Sequence, residues 1–347
     1  MAITSATTGI IRDNYCVLQL NRKVVQIEPS LSMPIINMPE LIVVKSDFDR
    51  FAQWQSYFDM YDIEAIPWDK RKDRLSEVRY ALVWQPEPGA LAELPALEVI
   101  FSVGAGIDHL KGENIAPPGI PIVRMVEDSL TAGMVQYVVY NVLHFHREMP
   151  FYQTNKTKIE WKQRVQYAPS ERTVGILGLG VLGTAAANFL RQLDFRVIGW
   201  SRTEKQLDGI GSFHGNDQLG IFLSQSNFLV CLLPHTPATE KLIDNKFLSQ
   251  LPKGAFFINA GRGPVVNDDH LIAALNSDQL AGAALDVFNQ EPLPPDSPYW
   301  NHEKVVLTPH VASITLPETS TKHVAENIIR HRQGQSLQHL GDLTRGY

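Results

Sequence analysis

Residues 173–203 read TVGILGLGVLGTAAANFLRQLDFRVIGWSRT, and their order decides the fold. A short β-branched run (Thr173, Val174, Ile176) enters a turn that carries Gly178, Gly180 and Gly183. An alanine-rich helical pattern follows over 182–193, and a second strand over 195–200 ends in a polar cluster. Strand, G-x-G-x-x-G, helix and strand make the βαβ unit that binds a dinucleotide. The first glycine permits the tight turn, the second lets backbone approach a pyrophosphate, and the third lets helix and strand pack closely. The pyrophosphate is then expected on the N–H groups and positive dipole end of the helix. A glycine turn without a ligand is the alternative; the flanking strand and helix argue against it.

The tip of the second strand bears on which dinucleotide is held. A carboxylate there grips the ribose 2′-OH of NAD, whereas a cation suits the 2′-phosphate of NADP. Here the tip reads Ser201, Arg202, Thr203, with Lys205 after Glu204, and no carboxylate occupies it. Hydroxyls and a guanidinium can hydrogen-bond a phosphate, the guanidinium bidentately. The expectation is NADP, with NADPH preferred over NADH; a solvated loop with ordinary charges is the bland alternative.

Working outward, the 347 residues suffice for two domains. A hydrophobic content of 44% with 20% charged residues describes a globular chain rather than a disordered one. A net charge of −6 gives no reason to expect nucleic acid or an anionic membrane as partner. The two cysteines, Cys16 and Cys231, make no disulfide framework, and Cys231 in FLVCLL reads as a packed thiol. With no CxxC and no His/Cys cluster at zinc spacing, no metal is expected. No run of about 18 apolar residues is present to span a membrane. The leader MAITSATTGIIRDNYCVLQL lacks the basic start and unbroken apolar core of a signal peptide, so a cytoplasmic location is the default.

Before the motif, residues 1–39 show no sustained periodicity and read as an extension, with a possible short strand at 23–27. From Glu40 onward, apolar runs at 41–44, 80–84, 97–103 and 120–125 read as strands, and 48–60 reads as an amphipathic helix. Such alternation implies a parallel sheet covered by helices. Residues 130–149 form a long helical pattern that is apolar over much of its circumference, hence buried between domains or against another subunit. His144 and His146 on it read as packing or surface residues rather than ligands. After the motif, runs at 227–234, 254–260, 280–288 and 304–309 read as strands, giving with the first two the six of a doubly wound dinucleotide fold. A last helix, 318–332, is free to return to the first domain.

Ligands in such sheets bind beyond the carboxyl ends of the strands. Those ends deliver Pro234 and His235, then Gly261 and Arg262, then Asp286 and Glu291, then His310. Hydride reduction of a 2-keto acid needs this inventory: a cation to bind the carboxylate and polarise the ketone, and a proton donor for the forming alkoxide. A histidine kept protonated by a neighbouring carboxylate suits the second role. Arg262 is assigned as the cation, His310 as the acid and Glu291 as its partner. In the first domain, Gly104, Ala105 and Gly106 of FSVGAGIDHL follow a strand, where exposed N–H groups can cup a carboxylate. A simple strand-to-helix turn is the other reading.

The segments SVGAGIDHL, GILGLGVLGTAAA, GWSRT, LLPHTPAT, NAGRGPVV, LDVFNQEPLPPDSPYW, LTPHVASIT and the terminal RGY together resemble the D-2-hydroxyacid dehydrogenase family, in its glyoxylate/hydroxypyruvate reductase A-type branch. The likeness runs from about residue 40 to the C-terminus. It implies Arg262, Glu291 and His310 as the catalytic set, and Asp286 against the nicotinamide carboxamide. It implies further cofactor contacts from Val181, Leu182, Leu233, Thr239, Ala260 and Ala312, and substrate contacts from Val103 and Trp84, with Trp300 also near the pocket. It implies a Rossmann NADP domain (136–317) inserted in a flavodoxin-like substrate domain (40–135 and 318–347), the site lying between them. A homodimer built on the helix and arm after residue 130 is implied too. The expected activity is NADPH-dependent reduction of glyoxylate and hydroxypyruvate. A reductase of larger 2-keto acids and a dinucleotide-sensing corepressor-type module stay as alternatives.

Overall fold

The computed structural model describes residues 40–46 and 50–346; the extension 1–39, with its possible strand at 23–27, lies outside the described residues. The first sheet is built from β1 (Glu40–Lys45), β2 (Ile63–Pro67), β3 (Tyr80–Val83), β4 (Val99–Ser102) and β5 (Ile122–Val123), in the order β2-β1-β3-β4-β5. All its pairs are parallel. That is the flavodoxin-like order, which reverses direction between β1 and β3. Helix α1 (Phe51–Asp59) turns Trp54 and Phe58 inward. They pack with Ile42, Tyr80 and Phe101 and with Val324, Ala325 and Ile328 of the last helix, α8 (Pro317–Arg332). The chain therefore does come back to its first sheet after completing the second.

The second sheet holds seven parallel strands. They are β6 (Thr173–Leu177), β7 (Arg196–Ser201), β8 (Gly211–His214), β9 (Phe228–Cys231), β10 (Ala255–Asn259), β11 (Leu280–Leu285) and β12 (Val305–Leu307). The order β12-β11-β10-β9-β6-β7-β8 contains the six-strand doubly wound arrangement plus one edge strand. The sequence reading counted six strands and missed β2 and β8. Both are edge strands: β2 ends in proline, and β8 opens on Gly211 with no residue fully buried. Central strands show the opposite signature. FLVC of β9 is buried throughout, because helices cover both faces of a parallel sheet and leave no polar alternation.

The opening motif folds as its glycines dictate. Gly178 ends β6 at φ +112, in the region L side chains avoid. At Gly183, in helix α4 (Val181–Gln192), a side chain would drive into the Gly178 carbonyl. Helix α2 (Asp128–His146) is capped by Glu127, whose carboxylate accepts from the Leu130 N–H at 2.7 Å and the Ser129 N–H at 2.8 Å. Leu130 packs with the first sheet's core. Met134, Val138, Val142 and Phe145 pack with the second, each burial stabilising by about 1.5–3 kcal/mol. His144 and His146 are buried, in ring contact with Phe145 and Phe195 respectively. Cys231 is fully buried, and burial pushes its thiol up to about 12. Among the described residues no helix is long and apolar enough to cross a membrane, and no group of His, Cys, Asp and Glu is arranged to hold a metal.

Candidate active site

The loop after β12 carries His310, whose backbone is left-handed at φ +54. Such a conformation persists only where its surroundings enforce it. Here the His310 N–H donates to the Asp286 carbonyl at 2.8 Å and to that of Thr308 at 3.1 Å. The Asp286 carboxylate, fully buried after β11, accepts from the Thr308 hydroxyl (2.6 Å) and from the Val311 (2.8 Å) and Ala312 (2.9 Å) N–H groups. The same Thr308 hydroxyl meets the phenol of Tyr137 on α2 at 2.8 Å. Asp286 and the backbone of Ala312 thus serve to hold the histidine loop, a role not visible from strand ends alone.

The imidazole of His310 meets Glu291, Nδ1 to Oε2, at 2.7 Å. A carboxylate can only accept, so the proton is assigned to Nδ1 and Nε2 is the nitrogen left for a ligand. The other Glu291 oxygen accepts from the Phe288 N–H at 2.9 Å, which fixes the carboxylate in place. Burial raises the Glu291 carboxyl. The bonds from His310 and Phe288, with the charges of His310 and Arg262, outweigh that and hold it below the ordinary value.

Arg262 follows β10. Its Nε donates to both oxygens of Asp108, at 2.9 and 3.0 Å, and its Nη1 donates to the Gly261 carbonyl at 2.8 Å. Its Nη2 lies against Gly106, where any side chain would collide with it. The glycine of the first sheet's loop is therefore a condition for the arginine's position. In that loop Val103 N–H bonds Val83 and Gly104 N–H turns back to Ser102 Oγ (3.2 Å). Of the four N–H groups between 103 and 106, those of Ala105 and Gly106 are the ones left without such a bond among the described residues. The expected carboxylate cup narrows to these two.

Trp84, after β3, closes one side. Its ring lies 6.0 Å edge-on from that of His310 and 4.4 Å from that of His109. His109 Nε2 meets Ser102 Oγ at 2.9 Å, and burial pushes this imidazole down to about 4. Trp300 is half exposed and spends its indole N–H on the Pro294 carbonyl (2.8 Å), so no described contact joins it to His310. The sequence reading missed Asp108, Ser102 and His109 as functional neighbours, although all three stand in the segment it quoted. Nothing local marks a carboxylate whose partner is 154 positions away.

The dinucleotide crevice fits its expected occupant. Gly180 caps α4, and nothing lies within 4 Å of where its side chain would begin, leaving room for a pyrophosphate against the helix N-terminus. Val181 and Leu182 form the first turn of that helix. At the β7 tip Ser201 Oγ donates to the Thr203 carbonyl (2.7 Å), and Arg202, Thr203 and Lys205 are exposed. Beyond β9, Leu233 leads into a turn in which Thr239 Oγ1 donates to the Pro234 carbonyl (2.7 Å), with His235 part-buried beside it. Ala260 and Gly261 follow β10, their backbone close to that of the β9 end: the Ala260 N–H donates to the Cys231 carbonyl at 3.2 Å.

A sequence model described as the D-isomer specific 2-hydroxyacid dehydrogenase, NAD binding domain, matches residues 139–312. The glyoxylate/hydroxypyruvate reductase A of Yersinia enterocolitica is 40% identical over 273 residues, covering 77% of this chain and 87% of the relative. A D-isomer specific 2-hydroxyacid dehydrogenase from Xanthobacter autotrophicus, solved with NADPH and MES, superposes with a TM-score of 0.86 at 38% identity, over 89% of this chain and 100% of the other. An NADPH-dependent glyoxylate/hydroxypyruvate reductase from Sinorhizobium meliloti, solved with NADP and sulfate, superposes at 0.84 with 34% identity, over 89% and 100%.

Proposed function

Because the chain belongs to the D-isomer specific 2-hydroxyacid dehydrogenase family, we propose that it reduces glyoxylate to glycolate and hydroxypyruvate to D-glycerate with NADPH. The observation that carries this is the His310–Glu291 pair at 2.7 Å, with Arg262 near enough to lower the same carboxyl. A bound nicotinamide supplies the hydride. Arg262 binds the substrate carboxylate and polarises the keto oxygen, where negative charge grows in the transition state. His310 donates the proton that this oxygen needs, and Glu291, bonded to Nδ1 at 2.7 Å, orients the imidazole. The Ala105 and Gly106 N–H groups share the substrate carboxylate with Arg262, and Trp84 walls the space beside His310. A ring in that position favours small 2-keto acids over bulky ones.

The cofactor preference rests on Ser201, Arg202 and Thr203 standing where an NAD site would place a carboxylate. Relatives solved with NADPH or NADP support it. Residues 40–135 with 318–347 form the substrate domain in this reading, and 136–317 the cofactor domain. A homodimer in the cytoplasm is part of the same proposal. It is supported by an apolar groove of about 670 Å³ between α2 and α4, lined by Val135, Val139, Tyr140 and Phe189 among others. The exposed Ile159 and Trp161, on the arm after α3 (Met149–Thr157), point the same way.

Following NADPH absorbance over a panel of 2-keto acids tests the activity. The fastest turnover is expected with glyoxylate and hydroxypyruvate. Preference for phenylpyruvate-like acids would make the chain a broader reductase, and turnover of none would favour a dinucleotide sensor.

A further inference from the structure

Asp108 sits on the short 3-10 turn Asp108–Leu110 that follows the β4 loop, and Arg262 on the loop after β10. Their contact joins residues of different sheets, which no other ion pair among the described residues does. Neither partner waves in solvent: the two side chains keep 19% and 23% of their exposure, for Arg262 and Asp108 respectively. The turn beneath Asp108 is itself held, by Leu110 buried in the core and by His109 clamped between Trp84 and Ser102. A surface ion pair between two flexible chains would deserve little weight. A carboxylate on a pinned turn, taking the Nε–H with both its oxygens, is a different object.

We propose that Asp108 is the positioning residue for Arg262, an inference that rests on the reductase reading above. Asp108 takes Nε and the Gly261 carbonyl takes Nη1, so two corners of the planar guanidinium are held. The plane is then set, and the remaining donors form the fork that a carboxylate or ketone oxygen meets. Without Asp108 the side chain can rotate about its last torsions, and the fork no longer faces the reacting atoms. Asp108 touches neither substrate nor cofactor in this scheme; it acts through Arg262. Because the carboxylate comes from the first sheet, the arginine acquires its working orientation only when the two sheets' loops are together.

The test is a double-mutant cycle on the full-length protein, with NADPH and glyoxylate as probes. Asp108→Asn keeps shape and loses charge, with Asp108→Ser as the alternative should the amide variant fail to fold. A loss of at least fivefold in kcat/KM is expected, with the Kd for NADPH changed less than twofold. In an Arg262→Ala background the same substitution is expected to cost less than twofold, since its means of action is gone. A smaller loss in the first case, a twofold or larger loss in the second, or an equal loss of NADPH binding overturns the proposal. A second readout needs no turnover, so it stands even if the unmodified protein reduces no 2-keto acid. Modification of Arg262 by phenylglyoxal, followed by peptide mass spectrometry against the other arginines, should be at least fivefold faster in Asp108→Asn. A rate closer to that of the parent protein would also overturn the role.

Discussion

His310, the proposed proton donor, is one of ten described residues other than glycine with positive φ. Its left-handed backbone is held by Asp286 and Thr308, and its ring by Glu291. His310→Ala is expected to lower kcat by about 10²–10⁴-fold, the usual contribution of a positioned acid, while leaving NADPH binding in place. Near-normal turnover by stopped-flow or steady-state assay would remove His310 from the mechanism. His109 makes a second, independent prediction about stability. Burial lowers this imidazole from 6.5 to about 4, whereas in the unfolded chain it titrates normally. Below pH 6.5 the unfolded state therefore takes up a proton that the folded state refuses, and stability falls with pH down to about 4, then levels. At about 1.4 kcal/mol per pH unit the window amounts to about 3 kcal/mol. In urea titrations at pH 7 and pH 4.5, His109→Gln should lose less stability on acidification than the parent protein. Equal losses would mean that the imidazole is solvated.

At the scale of elements, the βαβ unit divides its labour cleanly. In the proposed function Gly178, Gly180 and Gly183 make the pyrophosphate seat, and the tip of β7 chooses between dinucleotides. Replacing Ser201 with Asp and Arg202 with Ala puts a carboxylate at that tip and removes its guanidinium. The ratio of kcat/KM for NADPH over NADH should fall by tenfold or more, since each lost charge-assisted bond is worth roughly 1.5–3 kcal/mol. An unchanged ratio would locate the discrimination elsewhere. The seat and the tip were both readable because each lies within one contiguous segment. Edge strands β2 and β8 were not, since half-exposed backbone pairing leaves a weaker apolar signature than the buried run of β9.

At the scale of the whole molecule, the face formed by α2 and α4 is unusually apolar for an exterior. Tyr140 is 61% exposed and Phe189 44% exposed, beside the partly buried Val135 and Val139. Water would be released by pairing this face with its copy. The parent protein is expected to sediment as a dimer, and the double variant Tyr140→Glu with Phe189→Asp as a monomer. Dimers persisting in the variant at micromolar concentration would place the contact on another surface.

Fold class, the dinucleotide seat and the catalytic candidates Arg262, Glu291 and His310 were determined by the sequence alone. Hydrophobic period, glycine turns and strand ends are local properties, and a strand end states which residue leaves the sheet on the ligand side. Tertiary structure decided which group faces which. It alone turned Asp286 inward to hold the histidine loop, took the Gly104 N–H group out of the expected anion cup, and set Asp108 against an arginine 154 positions away. Such pairings depend on how two separately formed sheets bring their loops together, a distance that no window of neighbouring residues encodes.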